Sequence, residues 1–225
     1  MLESAKTKSN YFIHINLFFF FKRLIDLFFS ASLLLLLSPL FLFICYRINK
    51  KEGKPIIYRE LRVGKNNRAF TMYSFRTTTN ASKVIRALPP YPFPRSWEKG
   101  VPSYFKISRD KYVTYTDTGL WLKRYHLDKL PQLLNVLKGD MSLVGPSPEV
   151  PEIADYYNRY QARRLKVKPG LTGYAQVKGV SNDNHGKKIN YDLFYTQNCS
   201  YKLDFKILYR ATMKLVKNVN KTILE

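Results

Sequence analysis

Negative charge is scarce in this sequence of 225 residues, which has 16 aspartates and glutamates against 38 lysines and arginines. The formal net charge is therefore +22 at pH 7. A surface with this balance of charge attracts polyanions. Three kinds of polyanion remain open on charge alone: nucleic acid, anionic lipid headgroups and phosphorylated substrates.

Cysteine is scarce as well, since the chain contains only Cys45 and Cys199. This count excludes a disulfide framework and leaves no Cys/His spacing typical of a metal site, which fits a reducing compartment. No internal repeat is found. The length allows one domain with its own core plus an anchor.

The sequence does contain one long apolar run, from Leu24 to Cys45, which is broken only by Asp26 and a few small residues. About 20 apolar residues suffice to cross a bilayer, so this segment is predicted to enter a membrane. A cleaved signal peptide fits poorly because no small-residue cleavage site follows the run. We therefore divide the chain into a basic N-terminal tail at 1–16, a membrane anchor at 17–48 and a globular domain at 49–225.

Basic residues flank the anchor on both sides, with Lys22 and Arg23 before the apolar run. Those after it are Arg47, Lys50, Lys51 and Lys54. The positive-inside rule therefore favours the cytoplasm for both ends. Pro39 removes a helix hydrogen bond, and the Ser38 hydroxyl can satisfy a group thus freed. We predict a re-entrant helix broken at Ser38-Pro39; the alternative is a spanning helix with a proline kink. Asp26 is costly in lipid and is expected at the interface or beside a basic residue.

A short amphipathic helix is predicted after residue 128, because leucines recur at the spacing i, i+3, i+4 and i+7. They are Leu130, Leu133, Leu134 and Leu137. Asp128 stands at the N-cap position, Pro131 in the first turn and Gly139 just past the end. The positive end of the helix can keep Asp128 ionised and hold an incoming phosphate. The alternative is that Asp128 only caps the helix.

The stretch LDKLPQLLNVLKGDMSLVGPSP at 127–148 resembles the signature of the bacterial sugar transferases. These monotopic phosphoglycosyl transferases start the assembly of surface polysaccharides and glycoconjugates. Their pattern is LDELPQ and, after a short gap, NVLKGDMSLVGPRP. The other matches, in the family's order, are Lys22, Arg23 and Asp26, Ser38-Pro39, Arg62-Val63-Gly64, Phe75-Arg76-Thr77, VKPGLTGYAQVKG at 167–179 and LDFKIL at 203–208.

The resemblance implies a helix-rich α/β fold, in which an N-terminal re-entrant membrane helix joins one small globular domain with surface amphipathic helices. It also implies transfer of a sugar-1-phosphate from a UDP-sugar to a polyprenyl phosphate such as undecaprenyl phosphate, which initiates polysaccharide synthesis. The expected location is the cytoplasmic face of the bacterial inner membrane. The expected partners are therefore membrane lipid, polyprenyl phosphate and a UDP-sugar.

In the family, the Asp of an Asp-Glu pair attacks the UDP-sugar and forms a covalent sugar-phosphate intermediate, while the Glu helps to hold Mg²⁺. Asp128 matches the nucleophile, but Lys129 replaces the Glu, and a cation cannot ligate Mg²⁺. Mg²⁺ is thus the cofactor expected of an active enzyme, without its Glu ligand. At two positions where the family has a cation, the Arg of GPRP and the Lys of KFRT, this chain has Ser147 and Ser74. Where the family has Asp-Pro-Arg, this chain has DKY at 110–112.

Five residues are further candidates for substrate contact. They are Arg62, Arg76, Arg124, Thr172 and Gln176. The first two lie in a predicted hairpin of two short strands at 56–79, where arginines would steer a diphosphate or form a solvated basic face. Thr172 and Gln176 are candidates because the PGLTG segment adjoins the active site in the family.

Three other segments receive structural predictions. Residues 80–112 are rich in proline and aromatics and predict an extended loop. A helix is predicted from about 149 to 165, followed by a turn at PGLTG. The segment 204–224 predicts an amphipathic helix with a basic stripe, which either binds the membrane surface or packs as a core helix with a solvated lysine face.

Three functions are consistent with the sequence. The first is the transferase implied by the resemblance. The second is a catalytically impaired member of that family, which would serve as a binding or partner subunit in a homo-oligomer or beside an active relative. The third, nucleic-acid binding, would require a basic groove with stacking aromatics in a soluble protein, and the apolar run argues against it.

Overall fold

The computed structural model describes residues 2–79, 97–104, 114–180 and 184–223, and helices dominate these ranges. The α-helices are α1 (Leu2–Leu36), α2 (Ser38–Glu52), α3 (Asp117–Arg124), α4 (Gln132–Lys138), α5 (Pro151–Ala154), α6 (Tyr174–Val177), α7 (His185–Gln197) and α8 (Tyr201–Ile223). The strands are β1 (Ile57–Val63), β2 (Ala69–Phe75), β3 (Ser142–Val144) and β4 (Gly170–Thr172). β1 and β2 form the predicted antiparallel hairpin, while β3 and β4 pair in parallel. The helix-rich α/β class is confirmed.

The anchor bends by 61° between Leu17–Leu36 and Ser38–Glu52. Pro39 has no N–H to donate to the carbonyl of Leu35, and the Ser38 hydroxyl donates to that carbonyl instead, at 2.8 Å. The break predicted at Ser38-Pro39 is confirmed, with its physical cause. Within the described ranges no single helix is both long and apolar enough to cross a membrane, although the bent pair together has the required length and composition. The α1 backbone extends to Leu2, into the stretch assigned to the basic tail.

Large apolar side chains of the anchor point away from the protein. Leu35 and Leu36 are 79% and 75% exposed, and Phe28 and Leu42 are 67% and 68% exposed. A contiguous apolar surface of this kind marks a segment that inserts into another phase or partner.

The polar residues of α1, in contrast, point into the globular domain. Lys22 forms a buried ion pair with Asp204 of α8, at 2.6 Å. Arg23 donates to the carbonyls of Val136 and Leu137 at the end of α4. Asp26 is 4% exposed, and its carboxylate accepts the N–H of Leu143 at 3.1 Å. Asp26 is therefore satisfied by a backbone N–H, and among the described residues it forms no ion pair with a basic residue.

The short helix α4 is fixed to the β1–β2 hairpin by one buried amide. The Asn135 side chain accepts the N–H of Tyr73 at 3.0 Å and donates to the carbonyl of Thr71 at 2.7 Å. These are the two hydrogen bonds that a neighbouring strand would make to the free edge of β2. Leu133 and Val136 of the same helix are buried in the main core, which also contains Met141, Val144, Val167, Tyr195 and Ile207.

The prediction of one helix over about 149–165 is wrong. The chain instead forms the single-turn helix α5 and then a 3₁₀ helix, Gln161–Lys166. Asn158 interrupts the run, because its side-chain carbonyl accepts the N–H groups of Tyr160 and Gln161 and starts a new turn there.

The turn predicted at PGLTG is also corrected, because residues 170–172 form β4 beside β3. A Cβ atom at Gly170 would lie 2.1 Å from the backbone nitrogen of Gly145. Glycine is therefore required at this position by the close approach of two backbones. Most of the loop predicted at 80–112 lies outside the described residues; Trp97 and Val101 are described, and both pack on Ile153.

The predicted C-terminal helix is present as α8, with Ile207 fully buried. An aromatic stripe lies on its exposed side at four-residue steps. Phe205 is 73% and Tyr209 58% exposed, between Tyr201 and Met213.

A buried network of charges holds the part of the domain after β3 together. Arg164 is 1% exposed and donates to the Asp192 carboxylate at 3.0 Å and to Glu149 at 3.1 Å. Lys188 and the Tyr157 hydroxyl also donate to Glu149. Burial raises the pKa of Glu149, but Lys188 and Arg164 together lower it well below its usual range.

Replacing Arg164 by Met should destabilise the protein severely, because Glu149 and Asp192 would remain buried without their common partner. We expect a loss of about 3–5 kcal/mol, seen as a lower thermal midpoint in detergent. The neighbouring Arg163 is exposed, and Arg163→Met should change the midpoint little. Equal midpoints for the two variants would contradict this role of Arg164.

Acid should destabilise the same region through His185, whose pKa burial lowers to about 3. The unfolded value is about 6.5, so the stabilisation from neutral His185 is complete above that pH and is lost as the pH falls towards 3. We expect the thermal midpoint to decrease between pH 6.5 and about 4. His185→Gln cannot titrate and should reduce this pH dependence, whereas an unchanged slope would exclude His185 as its source.

Candidate active site

Asp128 lies in a 3₁₀ turn, Leu127–Lys129, that precedes α4. The N-cap of α4 is Pro131, so the prediction that Asp128 caps an α-helix is wrong. The physical reason is local: Leu130 and Leu133 donate to carbonyls three residues earlier, which tightens this turn before the α-helix begins. Gly139 does terminate α4, in a left-handed conformation with φ of 94°.

The Asp128 carboxylate has a buried oxygen without a partner. Its Oδ1 atom makes no hydrogen bond in the part of the chain that the structure describes. A buried carboxylate oxygen in that state is unfavourable in the resting protein and is available to a ligand. The residue therefore retains the lone pairs that a nucleophile requires.

The anchor packs directly against the turn that carries Asp128. Leu127 and Leu130, on either side of Asp128, pack against an apolar cluster that contains Ile44 and Ile48 of α2 together with Phe75 and Leu122. The turn that carries Asp128 and the end of the anchor therefore share one apolar cluster.

Several cations surround Asp128. Partial burial, followed by the charge of Lys129, lowers the pKa of His126, and Lys214 lowers it further, while Asp128 raises it. Lys129, Lys214 and Asp128 are thus each close enough to His126 to affect its charge. Lys214 reaches the site from α8 and also donates to the carbonyl of Gln176 at 3.3 Å. Sequence analysis included Lys214 only in a basic stripe, and its position near Asp128 depends on how α8 packs.

Gln176 is brought to the same side of the domain as Asp128 through Lys214. Its side chain accepts the N–H of Gly173 at 2.9 Å and donates to the Ser147 hydroxyl at 2.9 Å. Ser147 also accepts, through its carbonyl, a hydrogen bond from Arg164 at 2.9 Å. At the position where the family pattern has Arg, the side chain is therefore a hydroxyl paired with a neutral amide.

The Arg76 side chain is hydrogen-bonded to backbone carbonyls in this structure. Its guanidinium is 9% exposed and donates to the carbonyls of Glu52, Lys54, Thr78 and Thr79. The side chain thereby joins the end of the anchor to the end of β2. Its contact with a phosphate stays a prediction.

The other three candidates have different surroundings. Arg62 forms an ion pair with Glu60 on the same face of β1, at 2.7 Å. Arg124 lies exposed in the last turn of α3. Thr172 is half-buried in β4, where its carbonyl accepts the N–H of Gly145 at 3.0 Å. The hydrogen bonds and ion pairs described here do not link these three residues to Asp128.

The residues at this site do not fit a magnesium ion held by the protein. Among the described residues there is no group of three or more His, Cys, Asp or Glu that could hold a metal. Asp128 offers one orphaned carboxylate oxygen, and the next residue is the cation Lys129. Magnesium prefers oxygen ligands in near-octahedral geometry, which this donor set does not provide.

Comparison with known proteins shows what the chain resembles. The model of the bacterial sugar transferase family matches residues 17–218. The "uncharacterized sugar transferase EpsL" of Bacillus subtilis is 37% identical over 195 residues, which are 87% of each chain. The "undecaprenyl-phosphate galactose phosphotransferase" of Salmonella typhimurium is 36% identical over 200 residues, which are 88% of this chain and 40% of that protein.

A third relative is the "UDP-glucose:undecaprenyl-phosphate glucose-1-phosphate transferase" of Klebsiella pneumoniae, 34% identical over 206 residues. They are 86% of this chain and 40% of the Klebsiella protein. The chain therefore spans 87% of the Bacillus relative and two-fifths of the other two. The family match includes both the bent anchor and the turn around Asp128, and the chain belongs to the bacterial sugar transferase family.

Proposed function

We propose that this chain transfers a sugar-1-phosphate from a UDP-sugar to a polyprenyl phosphate at the cytoplasmic face of the bacterial membrane. One observation carries the proposal: Asp128 has an unpartnered carboxylate oxygen in a cationic setting, directly beside the membrane anchor. The names of the Salmonella and Klebsiella relatives support undecaprenyl phosphate as the acceptor and a hexose as the sugar.

The proposed chemistry has two displacements at one phosphorus atom. A carboxylate oxygen of Asp128 attacks the phosphate that bears the sugar, the bond from that phosphorus to the bridging oxygen breaks, and UMP leaves. An oxygen of the polyprenyl phosphate then attacks the same phosphorus and releases Asp128. The products are a polyprenyl diphosphate sugar and the free carboxylate, so nothing is oxidised or reduced.

The surrounding cations would stabilise the charge that develops on the phosphates. Lys129 is adjacent to the nucleophile, and Lys214 is close enough to His126, two residues before Asp128, to lower the pKa of that imidazole. Ammonium groups attract a diphosphate and offset the charge on departing UMP. Their flexible side chains do not impose the fixed geometry of a metal ion, so we expect slower transfer than a metal-dependent site would give.

Replacing Asp128 by Asn should abolish transfer, because an amide cannot form the covalent intermediate. We expect a decrease of at least roughly 10³-fold in radiolabel transfer from UDP-sugars to undecaprenyl phosphate by the purified chain. Labelled sugar-phosphate should remain attached to the wild-type protein after denaturation and be absent from the variant. Asp155→Asn, at an exposed site, is the control; covalent labelling of Asp128→Asn would exclude this nucleophile.

A second candidate function is that of a catalytically impaired partner subunit, favoured by Lys129 and by the neutral network at Ser147. The first proposal predicts transfer by wild type in the presence of a chelator, reduced about 10²-fold in Lys129→Ala but unchanged in the exposed control Lys166→Ala. If wild type shows no transfer while Lys129→Glu shows metal-dependent transfer, the chain is instead a catalytically impaired subunit.

We also propose that α1 and α2 enter and leave the membrane on the cytoplasmic side. The bend, the bonded carbonyl of Leu35 and the basic residues at both ends support this arrangement. The aromatic stripe and the lysines of α8 would then lie along the headgroup region, where such side chains are favoured.

Straightening the bend should move the N-terminus across the membrane. The test uses a chain in which Cys45→Ser and Cys199→Ser have removed the native thiols. In that chain, a cysteine introduced by Ser9→Cys or by Lys166→Cys should react with an impermeant maleimide only in inside-out vesicles. Adding Pro39→Leu restores the N–H to the helix and should expose the cysteine at position 9 to the outside, while Pro102→Ala should not. Labelling of position 9 from outside without Pro39→Leu would establish a spanning anchor.

A further inference from the structure

A small cavity lies beside α1, where Arg23 contacts the carboxyl end of α4. Its volume is about 70 Å³, which is room for several water-sized groups. The polar side chains that line it are Lys22, Arg23, Asp26, Lys65, Ser142, Lys168 and Tyr195. We call it the α1 cavity.

The α1 cavity carries an excess of positive charge. Lys22 is neutralised by Asp204, and Arg23 is bound to two carbonyls, where it keeps its charge. Lys65 and Lys168 have no carboxylate within ion-pair distance among the described residues. Asp26 is the one carboxylate that lines the cavity, and one of its oxygens accepts the Leu143 N–H.

Two observations indicate that this charge is arranged for a ligand. The Ser142 hydroxyl lines the cavity, is 1% exposed as a residue, and has no hydrogen-bond partner in the described part of the chain. Burial lowers the pKa of Lys168, and the nearby charges of Arg23 and Lys65 lower it further, against Asp26 and Asp140, which raise it. An anion among these groups would accept from the free hydroxyl and relieve the repulsion between the cations.

We propose that the α1 cavity is an anion site that binds a phosphate group, held by Lys168, Lys65 and the Ser142 hydroxyl. The site is distinct from Asp128, because Arg23 contacts the carboxyl end of α4 whereas Asp128 precedes its amino end. The helical segment between them is roughly 15 Å long, at about 1.5 Å per residue. A phosphate bound in the cavity therefore does not react with Asp128.

Such a phosphate could come from a lipid headgroup or from solution, and the surroundings favour the lipid. Phe20, Phe21 and Leu24, next to the cavity residues in α1, are 60%, 48% and 47% exposed. Apolar side chains at the edge of an inserted segment lie just below the headgroups, so the basic side chains beside them reach the depth of the lipid phosphates. The bound headgroup would tie α1, β3 and the segment before β4 to the membrane surface.

The test measures binding and is independent of sugar transfer. The purified full-length chain in uncharged detergent is titrated with dihexanoyl phosphatidylglycerol, dihexanoyl phosphatidylcholine or inorganic phosphate, and heat is recorded by calorimetry. We expect Lys168→Gln to weaken binding of phosphatidylglycerol by about tenfold or more, and Ser142→Ala to weaken it in the same direction. Lys166→Gln, two residues away and exposed, removes the same charge and should change the affinity less than about twofold.

The three titrants separate the two sources. Binding of phosphatidylglycerol but not of inorganic phosphate, sensitive to Lys168→Gln, supports a lipid headgroup; binding of both with that sensitivity supports a site for free phosphate. Equal affinities of wild type, Lys168→Gln and Lys166→Gln would overturn the site. Folding of Lys168→Gln is checked by its thermal midpoint without anion, which should equal or exceed that of wild type because a repelled charge has been removed.

Discussion

The buried ion pair between Lys22 and Asp204 is the interaction on which the arrangement of this protein depends. It joins the first helix of the chain to the last, and the Tyr195 hydroxyl donates to the same carboxylate at 2.7 Å. Both charges are nearly removed from solvent, where loss of either one would leave the other uncompensated. The ion pair therefore fixes the orientation of α1 on the domain, with the apolar face of this helix outward.

The orientation of α1 determines the position of the candidate nucleophile. Arg23 of α1 holds the carboxyl end of α4, while Ile44 and Ile48 of α2 pack on Leu127 and Leu130 before its amino end. Both ends of the segment that carries Asp128 are thus fixed by the anchor. The position of the anchor and the geometry of the candidate active site are consequently linked in this chain.

The departures from the family pattern have different surroundings in the structure. Ser147 lies in a neutral network with Gln176 and is supported by Arg164. Lys129 instead adds a positive charge next to Asp128, where Lys214 supplies another from α8. The fold is unaffected, since its charged core around Arg164, Glu149 and Asp192 lies elsewhere. Positive charge is therefore present beside Asp128 at Lys129, whereas the side chain at position 147 is neutral.

The sequence by itself determined the family, the apolar anchor, its break at Ser38-Pro39, the β1–β2 hairpin and the C-terminal helix. Each follows from local chemistry, such as a missing N–H, a period of two or a period of 3.6. The conformation around Asp128 and the segment 149–165 were predicted wrongly, because short-range hydrogen bonds at Leu130 and Asn158 prevailed over helical spacing.

Only the tertiary structure decided which groups pair. Lys22 meets Asp204 across 182 residues, Asp26 meets Leu143 across 117, and Arg76 meets backbone carbonyls where a phosphate contact was expected. Lys214 and Ser142 acquire their positions in the same way. A buried polar atom takes the partner that packing brings to it, and no periodicity in the sequence specifies contacts between residues so far apart.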